Sequence, residues 1–126
     1  FYFLETVDEQ KNVLLKMGEG NENNYVKHSI KSFDDIETDF DAMVSDWRNG
    51  NTTIMNKQLK ETKADYPAIY QSLLVQRNNN WMPKIQQYLT DKQIEFVIVG
   101  ALHLHGKEGL LALLKAKGYT VEQYKK

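Results

Sequence analysis

Residues 95–106 have the sequence EFVIVGALHLHG, and this stretch decides which fold the chain is expected to adopt. Apart from the leading glutamate, its first five residues are β-branched or aromatic, which is typical of a central strand buried on both faces. Gly100 permits a tight turn after that strand, and Gly106 permits a second unusual backbone conformation farther along. The pattern therefore predicts a strand, a loop that carries His103, and a helix after the loop.

The flanking sequence predicts further strands and helices at both ends of the chain. Residues 2–5 form another short apolar run that ends in a carboxylate. Thr6 and Glu9 then have the spacing of a capping box at the start of a helix. Beyond the loop, leucines recur at helical spacing until Gly118, the expected C′ residue, and residues 119–121 are expected to form a last short strand.

The middle of the chain is expected to be helical. Apolar residues, Ile36 among them, recur every three or four positions between Tyr25 and Trp47. This spacing predicts one amphipathic helix, or two with a break near Ser32. A Gly- and Asn-rich turn ends the pattern, and Pro67 suits the first turn of a further helix.

Together these elements predict the α/β class: a helix-rich layered domain with a small, mostly parallel sheet, formed by residues 1–126. The first residues already have the composition of a buried strand, and no initiator Met precedes them. We therefore expect the chain to be a fragment of a larger domain. An open sheet edge in such a fragment would favour a homo-oligomer.

The composition excludes several classes of protein. The 126 residues carry a formal net charge of −1, with Lys and Arg interspersed among Asp and Glu, so no basic face for nucleic acid is expected. No apolar run approaches the roughly 20 residues that span a bilayer, so no membrane segment is expected. The sequence has no cysteine, which excludes disulfides, thiolate catalysis and cysteine-ligated zinc.

Two of the predicted strands are followed by ionisable side chains. Glu5 ends the first strand, and His103 follows the second, between two glycines and before a helix. Ligands of open α/β sheets bind beyond the carboxyl ends of the strands, so the two side chains would face one crevice if the strands were parallel neighbours. A carboxylate and an imidazole can bind a divalent metal or act as acid and base on a water molecule. The structural alternatives are a cap or surface ion pair for Glu5 and a hydrogen-bonded turn residue for His103.

A second group of candidates lies at residues 77–80, where the sequence RNNN interrupts the helical pattern. Arg77 can bind a substrate carboxylate or hold Glu5 in place, and is otherwise a surface charge at a helix end. Asn78 can cap the helix that follows or offer its amide to a ligand. His105 could be a second ligand, since His-x-His occurs in metal sites, but it is expected to be a loop residue. Trp47 and Trp81 are expected to lie in the core.

The candidates fall in sequence blocks that resemble the TraB/GumN family. The block RNNNW at 77–81 is similar to the family's R-N-x-x-W, VGALHLHG at 99–106 to V-G-A-x-H-L-x-G, and GLLALL at 109–114 to G-L-L-x-x-L. Near the start of the chain, LET at 4–6 followed by Gln10 resembles L-E-T-x-x-E-Q.

A further block, WRNGN at 47–51, resembles the family's W-x-x-G-D, with Asn51 in place of Asp. The ordered blocks cover essentially the whole chain, which is therefore identified as the C-terminal part of a TraB/GumN-like domain. Family members usually carry an earlier G-x-x-H motif. None precedes Glu5, which agrees with the expectation of a fragment.

The resemblance implies a site built from two G-x-x-H histidines and a glutamate, with the R-N motif nearby. Residue by residue, it carries over Glu5, Arg77, Asn78 and His103 as catalytic residues. Glu5 and His103 are the implied ligands of a divalent metal (Mn, Co or Zn). Only half of the implied site is present, so the chain itself is expected to bind metal weakly or not at all.

The resemblance also implies a function. The family is related to the Tiki proteins, described as metal-dependent proteases, and to the erythromycin-esterase/heme-uptake-like fold, which implies a metal-dependent hydrolase that acts on peptides. One branch is associated with shutting down peptide pheromone signalling. The alternative is therefore a non-catalytic protein that binds or sequesters a peptide or small ligand. Bacterial GumN-like proteins are often exported, which implies the periplasm or cell envelope as the location.

Overall fold

The computed structural model describes residues 2–90 and 92–124, except for the side chains of residues 32 and 34–39. Within these residues the chain forms six α-helices, a π-helical turn and a 3-10 turn. In chain order they are α1 (Val7–Lys16), α2 (Glu22–Arg48), α3 (Thr53–Asp65), α4 (Pro67–Tyr70), the π-helical turn Gln71–Val75, α5 (Gln76–Tyr88), the 3-10 turn Ala101–His103 and α6 (Leu110–Ala116).

The predicted α/β class with a parallel sheet is wrong, because the described residues contain no β-strand. The segments predicted as strands, 2–5, 95–99 and 119–121, do not pair with one another. A strand needs a neighbour that satisfies its backbone N–H and C=O groups, and β-propensity does not specify that neighbour. Phe96 and Ile98 are 88% and 79% exposed, so the buried central strand that their composition indicates does not form.

Helix α1 begins where the capping box predicts. The hydroxyl of Thr6 accepts a hydrogen bond from the backbone N–H of Glu9 at 3.1 Å, and the Glu9 carboxylate accepts one from the backbone N–H of Thr6 at 2.6 Å. Both amides would lack partners at an uncapped helix end. The predicted cap is therefore confirmed.

Helix α2 is continuous, so the prediction of a single helix is confirmed and the alternative break near Ser32 is wrong. The side chain of Ile36, part of the predicted apolar face, lies outside the described residues. Trp47 is 61% exposed near the end of this helix, so its predicted place in the core is wrong. Spacing along a helix identifies an apolar face, but whether that face is buried depends on what packs against it.

The turn between α2 and α3 is set by two local features. Gly50 has a φ of +70°, a conformation that favours glycine. The carboxylate of Asp46 accepts a hydrogen bond from the backbone N–H of Ile54 at 3.1 Å, in the first turn of α3. Helix α3 then runs to Asp65, and Pro67 occupies the first turn of α4, as predicted.

Helix α4, the π-helical turn and α5 follow one another without an intervening loop. The predicted interruption at residues 77–80 is wrong, because these residues lie in the first half of α5. Asparagine lowers helix stability by only a fraction of a kcal/mol, and contacts from elsewhere in the fold readily offset that cost. A π-helical turn shifts the register of the residues after it and is often found next to functional sites.

One cluster of the hydrophobic core lies between α5 and α6. It consists of Trp81, Met82, Ile85 and Leu110, against which the partly buried Leu4, Val99, Leu104, Leu113 and Leu114 pack. Buried apolar side chains of α3 and α4 also belong to the core, namely Met55, Leu59, Ile69 and Tyr70. The predicted core position of Trp81 is confirmed by its exposure of 4%. The irregular segments that carry Leu4 and Val99 thus lie beside α5 without forming a sheet. Among the described residues, no helix is both long and apolar enough to cross a membrane.

Candidate functional site

The four predicted site residues come from three parts of the chain and meet at α5. Arg77 and Asn78 occupy successive positions of this helix. Glu5 belongs to the segment before α1, and His103 ends the 3-10 turn. Arg77 contacts Glu5 and Asn78 contacts His103, so the structure brings the four residues together as two pairs.

The first pair is a two-pronged ion pair. Nη2 of Arg77 donates to Oε1 of Glu5 at 2.6 Å, and Nε of Arg77 donates to Oε2 at 3.1 Å. Oε2 accepts a further hydrogen bond from Nε1 of Trp81 at 3.2 Å. The guanidinium carbon of Arg77 lies 4.9 Å from the centre of the Trp81 ring, within the range of a cation–π contact.

The Glu5–Arg77 pair is shielded from solvent, since the two side chains are only 17% and 16% exposed. Charge-assisted, two-pronged pairs of this kind are stronger and more directional than surface ion pairs. Next to it, the ammonium group of Lys84 donates to the backbone carbonyl of Leu4 at 2.8 Å. Together these contacts hold the segment before α1 against α5 and fix the Glu5 carboxylate in place.

In the second pair, the side-chain amide of Asn78 lies beside the imidazole of His103 and is hydrogen-bonded through both its nitrogen and its oxygen. Asn78 is 1% exposed, and its Nδ2 donates to the backbone carbonyls of His103 at 3.2 Å and Glu108 at 2.8 Å. Oδ1 of Asn78 lies 2.7 Å from Nδ1 of His103. The amide of Asn78 therefore binds the protein itself, rather than capping a helix or being held free for a ligand.

These contacts define which nitrogen of His103 carries the proton. Two backbone carbonyls can only accept hydrogen bonds, so the NH₂ group of Asn78 must face them and its Oδ1 must face His103. Because Oδ1 can only accept, Nδ1 of His103 carries the hydrogen. In the neutral imidazole, Nε2 then keeps its lone pair.

The protonation state of His103 follows from its surroundings. The residue is 7% exposed. Burial, together with the positive charge of Arg77, lowers the pKa of His103 to about 4, although the negative charge of Glu5 opposes the shift. The imidazole is therefore neutral near pH 7, with Nε2 available to a proton or a metal ion.

Trp81 lies between the two pairs. Its indole N–H binds Glu5, and its ring is tilted against the imidazole of His103 with the ring centres 4.5 Å apart. Sequence analysis placed this tryptophan in the core without assigning it to the site. The signal was present in the R-N-x-x-W spacing, because residues three and four positions apart lie on the same face of a helix.

Two cavities meet at the wall formed by Arg77, Gly100 and His103. The first has a volume of about 690 Å³ and is lined by the segments around Glu5 and residues 95–100. Glu5 and His103 thus share one cavity, although no strands position them there. The second has a volume of about 520 Å³ and is lined mostly by apolar side chains, among them Met43, Trp47, Leu59, Ile69, Leu73 and Leu102.

The donor atoms at this site fit a divalent metal only in part. Nε2 of His103 is a suitable ligand, and the hydrogen bond at Nδ1 is the kind of outer contact that orients metal-binding histidines. Both oxygens of Glu5 already accept hydrogen bonds from Arg77 and Trp81. Among the side chains that the structure describes, no group of three or more His, Asp or Glu residues is placed to hold a metal ion.

Sequence analysis missed three residues next to the site, namely Glu108, Lys63 and Tyr70. Glu108 binds Lys63 and Tyr70, and its backbone carbonyl binds Asn78. Lys63 and Tyr70 lie in α3 and α4, far from the loop in sequence, and neither belongs to a recognisable motif. Only the fold shows that they reach this loop.

Three further residues, His105, Asn51 and His28, have the following surroundings. His105 lies in the loop after the 3-10 turn, as predicted, and partial burial lowers its pKa. Asn51 is exposed at the turn between α2 and α3. His28 packs edge-on against Tyr66, with ring centres 4.8 Å apart, and lines the apolar cavity.

Comparison with known proteins identifies the family of this chain. The family model described as TraB/PrgY/gumN matches residues 1–123. Comparison with curated proteins and with solved structures gives no match. Since the family model covers nearly the entire sequence, including all four predicted site residues, the chain belongs to the TraB/PrgY/gumN family.

Proposed function

We propose that this chain carries part of the active site of a metal-dependent hydrolase that acts on peptides. The observation that carries the proposal is the hydrogen-bond geometry of Asn78, which leaves Nε2 of a neutral, buried His103 with a free lone pair. Metal-binding histidines are held in this way in many proteins, with the second ring nitrogen bound to an oxygen.

In this proposal, Nε2 of His103 and the carboxylate of Glu5 hold the divalent metal. Bound there, the metal would supply Lewis-acid activation of a water molecule and of the substrate carbonyl. Arg77 keeps the carboxylate of Glu5 at the cavity wall, and Asn78 keeps the ring of His103 in one orientation and one tautomer. A catalytic metal usually has three protein ligands, so the proposal requires at least one ligand besides these two.

The apolar cavity supports a peptide as the substrate. It adjoins His103, and its volume of about 520 Å³ and largely apolar lining suit an apolar side chain next to the bond to be cleaved. A peptide bound across the wall formed by Arg77, Gly100 and His103 would place its backbone close to the imidazole.

The proposal is tested first by metal binding. Co²⁺ is added to the isotope-labelled chain, and NMR line broadening locates the bound ion. We expect weak binding that broadens signals around His103 and Glu5 and is lost in His103→Ala, whereas His105→Ala, the matched control, keeps it. Broadening that persists in His103→Ala would contradict the assignment of the metal site.

The second test is peptide cleavage with Co²⁺, Mn²⁺ or Zn²⁺ supplied in excess. Cleavage of a mixed peptide library is expected to require His103 and Glu5 and to tolerate His105→Ala. Cleavage that is equally fast in Glu5→Gln and in the unmodified chain would remove Glu5 from the proposed machinery.

A second candidate function is peptide binding without catalysis. The observation that favours it is the state of Glu5, whose oxygens are already bound by Arg77 and Trp81. Peptide binding measured in the presence of a chelator separates the two functions. Affinity that is unchanged by the chelator and by His103→Ala, without cleavage under any metal, would support the binding protein.

A further inference from the structure

Side-chain contacts bind the loop after His103 to helices α3 and α4. They involve Glu108, Lys63 and Tyr70, called here the Glu108 cluster. Oε2 of Glu108 accepts a hydrogen bond from the hydroxyl of Tyr70 at 2.9 Å, and Oε1 forms an ion pair with the ammonium group of Lys63. The ammonium group also lies 5.5 Å from the centre of the Tyr70 ring. One carboxylate thus connects the loop to both α3 and α4.

The cluster is tightly held. Tyr70 is 4% exposed, and burial with the hydrogen bond to Glu108 raises its pKa to about 12, so its hydroxyl stays a donor at any ordinary pH. The bond from Lys63, reinforced by that from Tyr70, lowers the pKa of Glu108. Glu108 is therefore ionised near pH 7 and accepts from both partners.

The backbone carbonyl of Glu108 contacts Asn78, one of the four candidate site residues. It accepts from Nδ2 of Asn78 at 2.8 Å, a shorter bond than the one of 3.2 Å from Nδ2 to the carbonyl of His103. The side chain of Glu108 is bound by Lys63 and Tyr70, and its backbone carbonyl by Asn78. The position of that carbonyl therefore depends on the cluster.

The loop leaves little freedom between His103 and Glu108. Gly106 has a φ of +82° and passes close to Leu59 and to the hydroxyl of Tyr70. A Cβ atom at Gly109 would lie 2.2 Å from the backbone carbonyl oxygen of His105. A displacement of Glu108 would therefore be transmitted along the loop to the residues that surround Asn78.

We propose that Glu108 is a positioning residue that selects the tautomer of His103 through Asn78. With the carbonyl of Glu108 in place, the NH₂ group of Asn78 faces it and Oδ1 faces Nδ1 of the imidazole. If that carbonyl is displaced, only the longer bond to the carbonyl of His103 still holds the amide of Asn78 in this orientation. The orientation rotated by half a turn, in which the NH₂ group faces Nδ1, then becomes more populated. Nδ1 must then accept, the hydrogen moves to Nε2, and the lone pair of Nε2 is lost.

The importance of this tautomer for catalysis rests on the proposed function, but the tautomer itself does not. It is measured from the ¹⁵N chemical shifts of the His103 ring at pH 7, without metal or substrate. In the unmodified chain we expect the hydrogen on Nδ1. In Glu108→Ala, the form with the hydrogen on Nε2 is expected to increase on the order of ten-fold, as one lost hydrogen bond at the amide implies.

A second readout is the exchange of the Asn78 side-chain NH₂ protons with solvent, which is expected to become faster by a similar factor in Glu108→Ala. The matched control is Lys107→Ala, which removes a neighbouring exposed charge in the same loop and is expected to change neither readout. Unchanged tautomer and exchange in folded Glu108→Ala would overturn the proposal.

Two milder variants keep the test informative if Glu108→Ala does not fold. Tyr70→Phe and Lys63→Met each remove one of the two bonds to the Glu108 carboxylate. Both are expected to shift the tautomer in the same direction by a smaller factor, and no shift in either would again overturn the proposal. If the tautomer shifts while Co²⁺ broadening persists in His103→Ala, the proposed metal site fails and the positioning role of Glu108 stands.

Discussion

Lowering the pH from 7 to 4.5 is expected to destabilise the folded chain through His103. In the fold, burial and the charge of Arg77 lower the pKa of His103 from 6.5 to about 4. In the unfolded chain the imidazole titrates near its ordinary value. Between these two values the unfolded state binds a proton that the folded state does not, so the free energy of unfolding falls as the pH falls.

The size of the effect follows from the width of this interval. Each pH unit within it lowers the free energy of unfolding by at most about 1.4 kcal/mol for one proton, so the whole interval corresponds to roughly 3 kcal/mol. The contribution is fully present above pH 6.5 and is lost progressively toward pH 4. Because a domain of this size is stable by only about 5–15 kcal/mol, the loss is a large fraction of the total.

The assay is urea unfolding of the unmodified chain and of His103→Gln at several pH values between 7 and 4.5. Glutamine does not titrate, so the variant lacks the pH-dependent contribution of His103 to the free energy of unfolding, whatever its stability at pH 7. His28 and His105 also have lowered pKa values and contribute in the same direction, but they are present in both proteins and cancel in the difference. If the two stability curves run parallel across this range, the imidazole is not the buried, neutral group described above.

Two further predictions concern the supports of the site. Arg77→Met is expected to lower the free energy of unfolding by about 2–4 kcal/mol, because it leaves the shielded carboxylate of Glu5 without its partner. Adding Glu5→Gln should recover part of this loss in a urea double-mutant cycle, and strictly additive effects would contradict the coupling. Gly109→Ala is expected to cost on the order of 2 kcal/mol or more, because its Cβ would lie 2.2 Å from a backbone oxygen, whereas Gly20→Ala, where no atom lies within 4 Å, should cost less despite its φ of +76°. Equal thermal shifts in the two glycine variants would refute this account of the loop.

The helices of this chain were predicted better than its strands, for a physical reason. A helix satisfies its backbone hydrogen bonds within one segment, so local signals such as the capping box of Thr6 and Glu9 identify its start. A strand depends on a partner from elsewhere, and the apolar composition of residues 95–99 shows only that these residues suit one. The prediction of an α/β sheet failed at this step, since no partner strand is present among the described residues.

The four candidate site residues lie close together although the predicted fold is wrong, and their catalytic and metal-binding roles stay a prediction. Glu5, Arg77, Asn78 and His103 were all singled out from the sequence, and they lie together in the structure. They do not meet at the edge of a parallel sheet, as predicted, but around helix α5. What could not be predicted was the Glu108 cluster, because its ion pair joins residues 45 positions apart that no local pattern connects.

The spacing of the R-N-x-x-W block explains why one helix is sufficient to assemble both pairs. Successive residues of an α-helix point about 100° apart, so Arg77 and Asn78 face different neighbours and bind Glu5 and His103 respectively. Trp81, four positions after the arginine and three after the asparagine, lies on the same side one turn later and touches both partners. The polar run predicted to interrupt the helix therefore supplies the two helix residues, Arg77 and Asn78, that bind Glu5 and His103. A helix fixes the angle between successive side chains, so the spacing of Arg77, Asn78 and Trp81 in the sequence determines which neighbours each of them can reach.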